Sequence, residues 1–479
     1  MGVTPFNPTW LLSILPELLL LALALVVLGV DLALPAERKR ALGLWTAAGL
    51  IVILLVVLLV PLPQGPAFGG VVRIDGVAGV FRAVFLLGGI LVALMSMDFR
   101  PLRQDGPYYG LLLFSLLGMS LMAVAENLVT LYVAMELTGI SAYVLVGYMR
   151  ETPQSAEAGL KYFLFGAFSS AVMLYGFSWL YAFAGGTGYS QVASAMRFIP
   201  FPLAVLAFLM VLVGFGFKVA MVPMHFWAPD VYQGAPTPIT AFLSVGSKAA
   251  GFAVLLRALW FLFPALEPTW VVLLVAISMV TMTLGNTFAV WQKNIKRLLA
   301  YSSIAQAGYV LIGVAAASQM GVASAAFYLI IYTVMNVAAF AVVGLVSNLS
   351  GSEDIESFSG LARRSSFLGW SMMLALFSLG GVPPFGGFVG KLLLFAGAIQ
   401  SGLIALTVVG AVNVVIGLYY YLNVVKVAFE RRSEQEPEPL EVPAPSKWVL
   451  GVTMAAIVLL GILAYPVYQW VWQASAGWF

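Results

Sequence analysis

The sequence contains no cysteine and a single histidine, and only 9% of its 479 residues are charged. Without cysteine there is no thiolate to hold an iron–sulfur cluster and no disulfide. One histidine supplies neither a bis-His haem nor a His-rich metal site. No Walker A or GxGxxG motif sits in a strand–helix context, so nucleotide chemistry has no visible home. A net charge of +3, spread along the chain, does not mark a nucleic-acid partner. What is abundant is apolar surface: 62% of the residues are hydrophobic. A soluble domain carries about 45–50% apolar and about 25% charged residues. The composition therefore predicts an all-α integral membrane protein.

A bilayer core about 30 Å thick needs about 20 apolar residues per helix. The apolar runs predict about fourteen spans: 9–33, 41–62, 78–98, 109–125, 127–149, 160–184, 202–225, 239–262, 268–290, 299–317, 322–347, 368–399, 403–429 and 447–473. The first run does not read as a signal peptide, because MGVTPFNPTW has no Lys or Arg and the apolar run is long. The longest polar segment, Glu430 to Lys447, is expected to be a solvated loop.

An even number of spans places both termini on one side. Loops after odd-numbered spans carry sixteen Lys and Arg residues, among them Arg38, Lys39, Arg40, Arg103, Arg150, Lys161, Lys296, Arg297, Arg431 and Arg432. The opposite loops carry two, Arg73 and Arg197. The positive-inside rule then puts the odd loops in the cytoplasm and both termini outside. Arg82 and Arg257 lie near span ends and are expected to snorkel. Three lysines remain at membrane depth.

These are Lys218 in LVGFGFKVAMVP, Lys248 in AFLSVGSKAAGFAVLL and Lys391 in SLGGVPPFGGFVGKLLLF. Glu136 joins them, about 13 Å into its span at 1.5 Å per residue. A central charge costs about 2.5–3.5 kcal/mol on insertion scales. The bland alternative is structural ion pairing, but one acid does not balance three lysines. The pattern points to ion conduction. Glu17, nearer its span end, reads as a structural or partner-helix residue. His225 in VPMHFWAPD is as well suited to capping a helix break as to passing protons.

Spans 7 and 12 carry helix breakers, Pro223 and Pro229 in one, Gly380, Gly381, Pro383, Pro384, Gly386 and Gly387 in the other. Broken helices at membrane depth need a protein or water-filled environment to satisfy the freed backbone. Their separation by five spans predicts two inverted five-helix repeats, spans 4–8 and 9–13. The expected divisions are a three-helix segment 1–108, a first repeat 109–262, a second repeat 263–429, and a loop with the last helix, 430–479. Polar candidates for a water chain between the lysines are Tyr232, Ser244, Ser247, Asn286, Ser302, Ser303, Gln306, Tyr309, Tyr332 and Asn336. Each alone is more often a helix-packing hydrogen bonder.

The motifs MELTGISAYVLVGY (135–148), KVAMVPMHFWAPDVYQGAPTPITAFLSVGSKAAGF (218–252), KNIKRLLAYSSIAQAGY (293–309) and PPFGGFVGK (383–391) resemble the antiporter-like membrane subunits of respiratory complex I, the NADH-quinone oxidoreductase. VYQGAPTP with SVGSKAAGF places the resemblance in the N branch of that family, and it covers essentially residues 9–475. It implies a proton-translocating subunit of the bacterial inner membrane, with both termini periplasmic. It also implies partnership with other membrane subunits, and FMN, iron–sulfur clusters and quinone in partner chains rather than here. The family's proton pathway maps onto Glu136, Lys218, Lys248 and Lys391. The expected sequence of events starts from a Glu136–Lys218 pair; separating the two would release the Lys218 proton toward Lys248 and then Lys391. The alternatives are a subunit of a sodium/proton antiporter complex and a passive scaffold.

Overall fold

The computed structural model describes residues 7–102, 105–430 and 439–479. Arg103, Arg431, Arg432 and much of the polar stretch after Glu430 lie outside the described residues. The chain begins with α1 (Thr9–Ser13), α2 (Leu15–Ala33) and α3 (Ala41–Leu59), then a short antiparallel hairpin, β1 (Gly65–Ala67) and β2 (Val72–Ile74). There follow α4 (Gly76–Ser96), α5 (Gly106–Val124), α6 (Leu128–Val146), α7 (Pro153–Ala184), the short α8 (Tyr189–Ala195) and α9 (Phe201–Val219). Next come α10 (Trp227–Gly234), α11 (Thr237–Phe242), a π-helical turn (Leu243–Ser247) and α12 (Lys248–Phe261). The second half runs through α13 (Glu267–Val290), α14 (Ile295–Ala315), α15 (Gln319–Ser350), α16 (Leu361–Arg364), α17 (Ser366–Gly380), α18 (Gly386–Gln400) and α19 (Ile404–Phe429). It closes with α20 (Ala444–Ile462) and α21 (Ala464–Ser475).

Among the described residues, thirteen helices are long and apolar enough to cross a membrane, counting α11 to α12 as one. The short pair α17 and α18 makes up the expected span 12, which brings the architecture to the fourteen spans read from the sequence. Several span starts carry polar caps. Asp75 accepts from the Ala78 N–H at 2.8 Å at the head of α4, Asn127 from Val129 at 2.9 Å on α6, and Asn294 from Arg297 at 3.0 Å on α14. Such caps satisfy the first free N–H groups of a helix. The last run differs from expectation: 447–473 is not one helix. It stops at Ile462 and restarts, with Pro466 in the first turn of α21, where its missing N–H removes no helix bond.

At the centre stands α15, packed against α4, α11, α14, α17, α18, α20 and α21. α14 and α15 are almost wholly buried, whereas α2, α3, α7, α13 and α19 present their apolar outer faces, with Leu160, Phe163 and Phe168 exposed on α7. A chain with no hydrophobic drive between helices in lipid relies on close backbone approach. Gly285 and Gly308 supply it between α13 and α14: a Cβ on Gly285 would lie 2.6 Å from the Ala305 nitrogen.

Two expectations are corrected here. Arg82 does not snorkel; it is 1% exposed and its Nε and Nη2 donate to Glu17 at 2.9 and 2.8 Å, while Ser120 donates to the same carboxylate at 2.5 Å. Arg257 is equally buried and donates to Asp75 at 2.7 Å, with its guanidinium 5.5 Å from the Trp478 ring. In both cases a carboxylate on another element meets the arginine inside the bundle, so the side chain has no reason to reach for water. Glu17 thereby takes the structural role.

Candidate functional site

Two helix breaks frame the site. α9 ends at Ala220, whose φ of 57° is left-handed, and the Met221 N–H returns to the Gly216 carbonyl at 3.0 Å. α17 ends at Gly381 with φ 82°, and the Val382 N–H returns to Phe377 at 2.9 Å. Each closes its helix by the same reverse bond across a left-handed residue. Each is followed by a cis X–Pro bond, Val222–Pro223 and Pro383–Pro384. Ala220 and Gly381 stand 161 residues apart, and so do Pro223 and Pro384. The broken ends leave carbonyl groups unpaired by their own helices, and these become acceptors.

Lys218 occupies the last turn of α9 and is 4% exposed. Its Nζ has no hydrogen-bond partner among the described residues. Glu136, on α6, accepts a short hydrogen bond from Ser170 of α7. The expected direct Glu136–Lys218 ion pair is therefore absent; Ser170 holds the carboxylate instead. Both side chains line one small cavity of about 10 Å³, together with Tyr143, Ser169, Gly214 and Phe217. A space of that size is about what one water needs.

Lys248 opens α12 directly after the π-helical turn, a distortion found most often at functional positions. Its Nζ donates to the Ser303 carbonyl at 2.5 Å and to the Ser303 hydroxyl. Tyr232 lies 3.3 Å from that hydroxyl. α12 also approaches Lys218, since a Cβ on Gly251 would sit 3.0 Å from the Lys218 Cβ. A larger residue at 251 would push the two helices apart.

Lys391 lies in α18 and donates to the Leu379 carbonyl at 2.7 Å, at the broken end of α17. Its Nζ sits 4.6 Å from the centre of the Tyr309 ring, a cation–π distance. Gln306 donates to the same carbonyl at 3.0 Å and to the Tyr421 hydroxyl at 3.2 Å, and accepts from Tyr328 at 2.5 Å. Tyr421 in turn meets Ser302. Ser302, Gln306 and Tyr309 recur at helical spacing on one face of α14, next to Ser303. Two hydrogen-bonded polar clusters thus meet on α14: Lys248 with Ser303, and, from the adjacent Ser302, Tyr421 and Gln306, which shares the Leu379 carbonyl with Lys391.

The other sequence candidates fall beside this line. Asn286 donates to the Tyr309 hydroxyl at 3.4 Å and accepts from Tyr420 at 3.0 Å. Asn336 donates to Ser244 at 2.5 Å. Ser247 and Tyr332 have side-chain oxygens without a hydrogen bond among the described residues. His225 is not joined to any of the lysines by a hydrogen bond: its carbonyl accepts from Ala228 at 3.0 Å, starting α10, and its ring lies against Phe226 at 4.4 Å. The sequence reading missed Ser170, Tyr328, Tyr420 and Tyr421. The tyrosines were visible as polar residues in apolar runs; nothing in the sequence singled out Ser170.

At the basic end of the bundle Asp230 of α10 binds Lys161 at 2.8 Å and Arg297 at 2.6 Å. Burial alone would raise the Asp230 carboxyl, but the two hydrogen bonds outweigh it and hold it below the usual range.

Residues 125–417 match the family described as NADH:quinone oxidoreductase/Mrp antiporter, transmembrane. The chain belongs to this family. It is 38% identical over 467 residues to NADH-quinone oxidoreductase subunit N of Trichlorobacter lovleyi, covering 96% of each chain. A chain of respiratory complex I from Thermus thermophilus matches at 32% identity with a TM-score of 0.79, over 95% of this chain and 98% of that one. A chain of the Mrp complex from Dietzia shares the fold, with a TM-score of 0.83 at 20% identity over 98% of both chains.

Proposed function

We propose that this chain is the proton-translocating membrane subunit of a respiratory NADH-quinone oxidoreductase. The observation that carries the reading is three buried lysines, two of them hydrogen-bonded into polar clusters and one beside Glu136, inside a member of this family. The electron-transfer cofactors, FMN, iron–sulfur clusters and quinone, belong on this reading to partner subunits, and the neighbours are other membrane subunits of the same complex. The subunit sits in the bacterial inner membrane with its basic end in the cytoplasm and both termini outside. The equal spacing of the two breaks supports residues 109–262 and 263–429 as repeats of one plan in inverted orientation, flanked by 1–108 and 430–479.

Proton transfer follows from where each group stands. Glu136 and Lys218 face each other across a space fit for one water, so a proton on Lys218 is stabilised when that water or the carboxylate closes on it. When the complex draws Glu136 away, the buried ammonium stands alone and gives its proton toward Lys248. Lys248 passes it by way of Ser303, Ser302, Tyr421 and Gln306 to Lys391, which releases it. His225 serves the break between α9 and α10 and stands outside the transfer path.

Moving a proton against roughly 180 mV requires about 4 kcal/mol. A charge left alone at membrane depth costs about 2.5–3.5 kcal/mol on insertion scales, so drawing the Glu136 carboxylate away from the Lys218 ammonium is close to the required size. In inverted membrane vesicles carrying the assembled complex, Lys248→Met, Lys218→Ala and Glu136→Gln should each lower NADH-driven proton uptake without lowering the amount of complex. Undiminished uptake in Lys248→Met would sink the reading. The related reading, a sodium/proton antiporter subunit, requires transport that depends on sodium and no co-purifying flavin.

A further inference from the structure

A surface cavity of about 540 Å³ opens at the basic end, lined by Glu157, Lys161, Asp230, Lys296 and Glu353. Its floor is the turn Gly234–Pro236, which joins α10 to α11. Just before the turn, Tyr232 is fully buried with its hydroxyl at Ser303, the residue that accepts from Lys248. Lys296 and Ser303 are seven residues apart on α14, nearly two turns, which puts them on one face about 10 Å apart along the axis. One layer of protein, Tyr232 and the turn, therefore separates the cavity from Lys248.

α10 is anchored on both sides of this layer. Asp230 is held by Lys161 and Arg297, and Gln233 accepts from Arg297 at 3.2 Å. Gly234 presses on α7 so closely that a Cβ would lie 2.5 Å from the Gln154 carbonyl. The side-chain tie from α14 to the turn itself is Lys296, 2% exposed, which donates to the Ala235 carbonyl at 2.7 Å and to Glu353 at 2.9 Å. Glu353 is more open, with 28% of its side chain exposed, and Asn294 also binds it, at 3.3 Å.

We propose that Lys296 is a positioning residue that holds the 234–236 turn shut over Tyr232, gating passage of water and protons from this cavity to Lys248. Glu353, at the cavity wall, sets how firmly it holds. The purpose of the gate rests on Lys248 being a proton carrier, but its existence can be read without measuring pumping.

The chain has no cysteine, so Ser303→Cys becomes its single thiol. The assembled complex in inverted vesicles is treated with a small membrane-impermeant thiosulfonate, and labelling of this chain is timed. With Lys296 in place the thiol should react slowly. Adding Lys296→Met should speed labelling about tenfold or more, the factor expected for an opening equilibrium that loses one charge-assisted hydrogen bond. Lys296→Arg should restore slow labelling, and Glu353→Gln should give an intermediate rate. Equal rates with and without Lys296 in intact complex overturn the gate, as does labelling that proceeds only in right-side-out vesicles. Should Lys296→Met fail to assemble, an unchanged rate in Glu353→Gln overturns it alone. Gated labelling together with normal proton uptake in Lys248→Met would keep the gate and remove the proton reading.

Discussion

Arg82→Leu and Lys218→Met should move the stability of the complex in opposite directions. Arg82 makes two hydrogen bonds to Glu17, at 2.9 and 2.8 Å, in a pair 1% and 3% exposed. Its loss strands a buried carboxylate with the Ser120 hydroxyl, at a cost of about 3–5 kcal/mol. Lys218 has no hydrogen-bond partner, and Ser170 already holds the nearby Glu136 carboxylate. Its replacement by Met strands nothing, keeps most of the side-chain volume, and removes a buried charge that costs about 2.5–3.5 kcal/mol on insertion scales. The two variants should thus differ by roughly 5 kcal/mol or more, on the scale of a domain's whole net stability. Unfolding of the detergent-purified complex in urea, followed by release of this chain, reads the difference: the midpoint falls for Arg82→Leu and holds or rises for Lys218→Met. Proton uptake should rank them the other way, since Arg82→Leu complexes that survive still pump. If Lys218→Met lost as much stability as Arg82→Leu, Lys218 would be half of a structural ion pair, and the case for a mobile proton there would collapse.

Gln306→Leu removes three hydrogen bonds near Lys391 without touching a lysine. It should slow proton uptake about tenfold, given about 1 kcal/mol or more for each buried partner left unpaired; normal uptake in vesicles would place the transfer path elsewhere. Gly387→Ala would drive a Cβ into the Ser378 carbonyl, so the variant should be missing from purified complex, whereas Gly79→Ala, with nothing within 4 Å, should be present in full amount on a quantified gel. The Asp230 carboxyl is held below its ordinary value, so its contribution is present above the ordinary carboxylate range and is lost as pH falls through the lower folded value. Protease cleavage at α10 in detergent should therefore rise only in strong acid for the native chain, and already near neutral pH for Asp230→Asn.

The buried lysines and the two breaks were legible because each violates the composition around it. A charge or a Pro–Pro step in a run of Leu and Val has few bland explanations, and both breaks fell where Pro223 and Pro384 pointed. The pairing of charges was not legible. Arg82 and Arg257 lie near span ends, where snorkelling is the ordinary outcome, and only tertiary packing brings Glu17 and Asp75 to them across 65 and 182 residues. The direct Glu136–Lys218 ion pair is absent for the same kind of reason: Ser170, one hydroxyl among several on α7, takes the carboxylate. The restart at Ala464 was hidden because a proline in a first turn leaves the apolar pattern unbroken.

The two breaks use one backbone device at a spacing of 161 residues, yet carry their lysines on opposite arms. At the first break the lysine is on the helix before it, and its Nζ faces a small cavity with a carboxylate. At the second, the position equivalent to Lys218 is Leu379, and its backbone carbonyl accepts from Lys391, which stands on the helix after the break. A backbone acceptor has no charge to withdraw and stays fixed to its helix. A carboxylate on a neighbouring helix can be moved. On the proton-transfer reading proposed above, the first break is the one a partner would drive, and the second would hold an ammonium at a fixed station until the proton leaves. On that reading, asymmetry of chemistry on a shared frame would give the three lysines a direction.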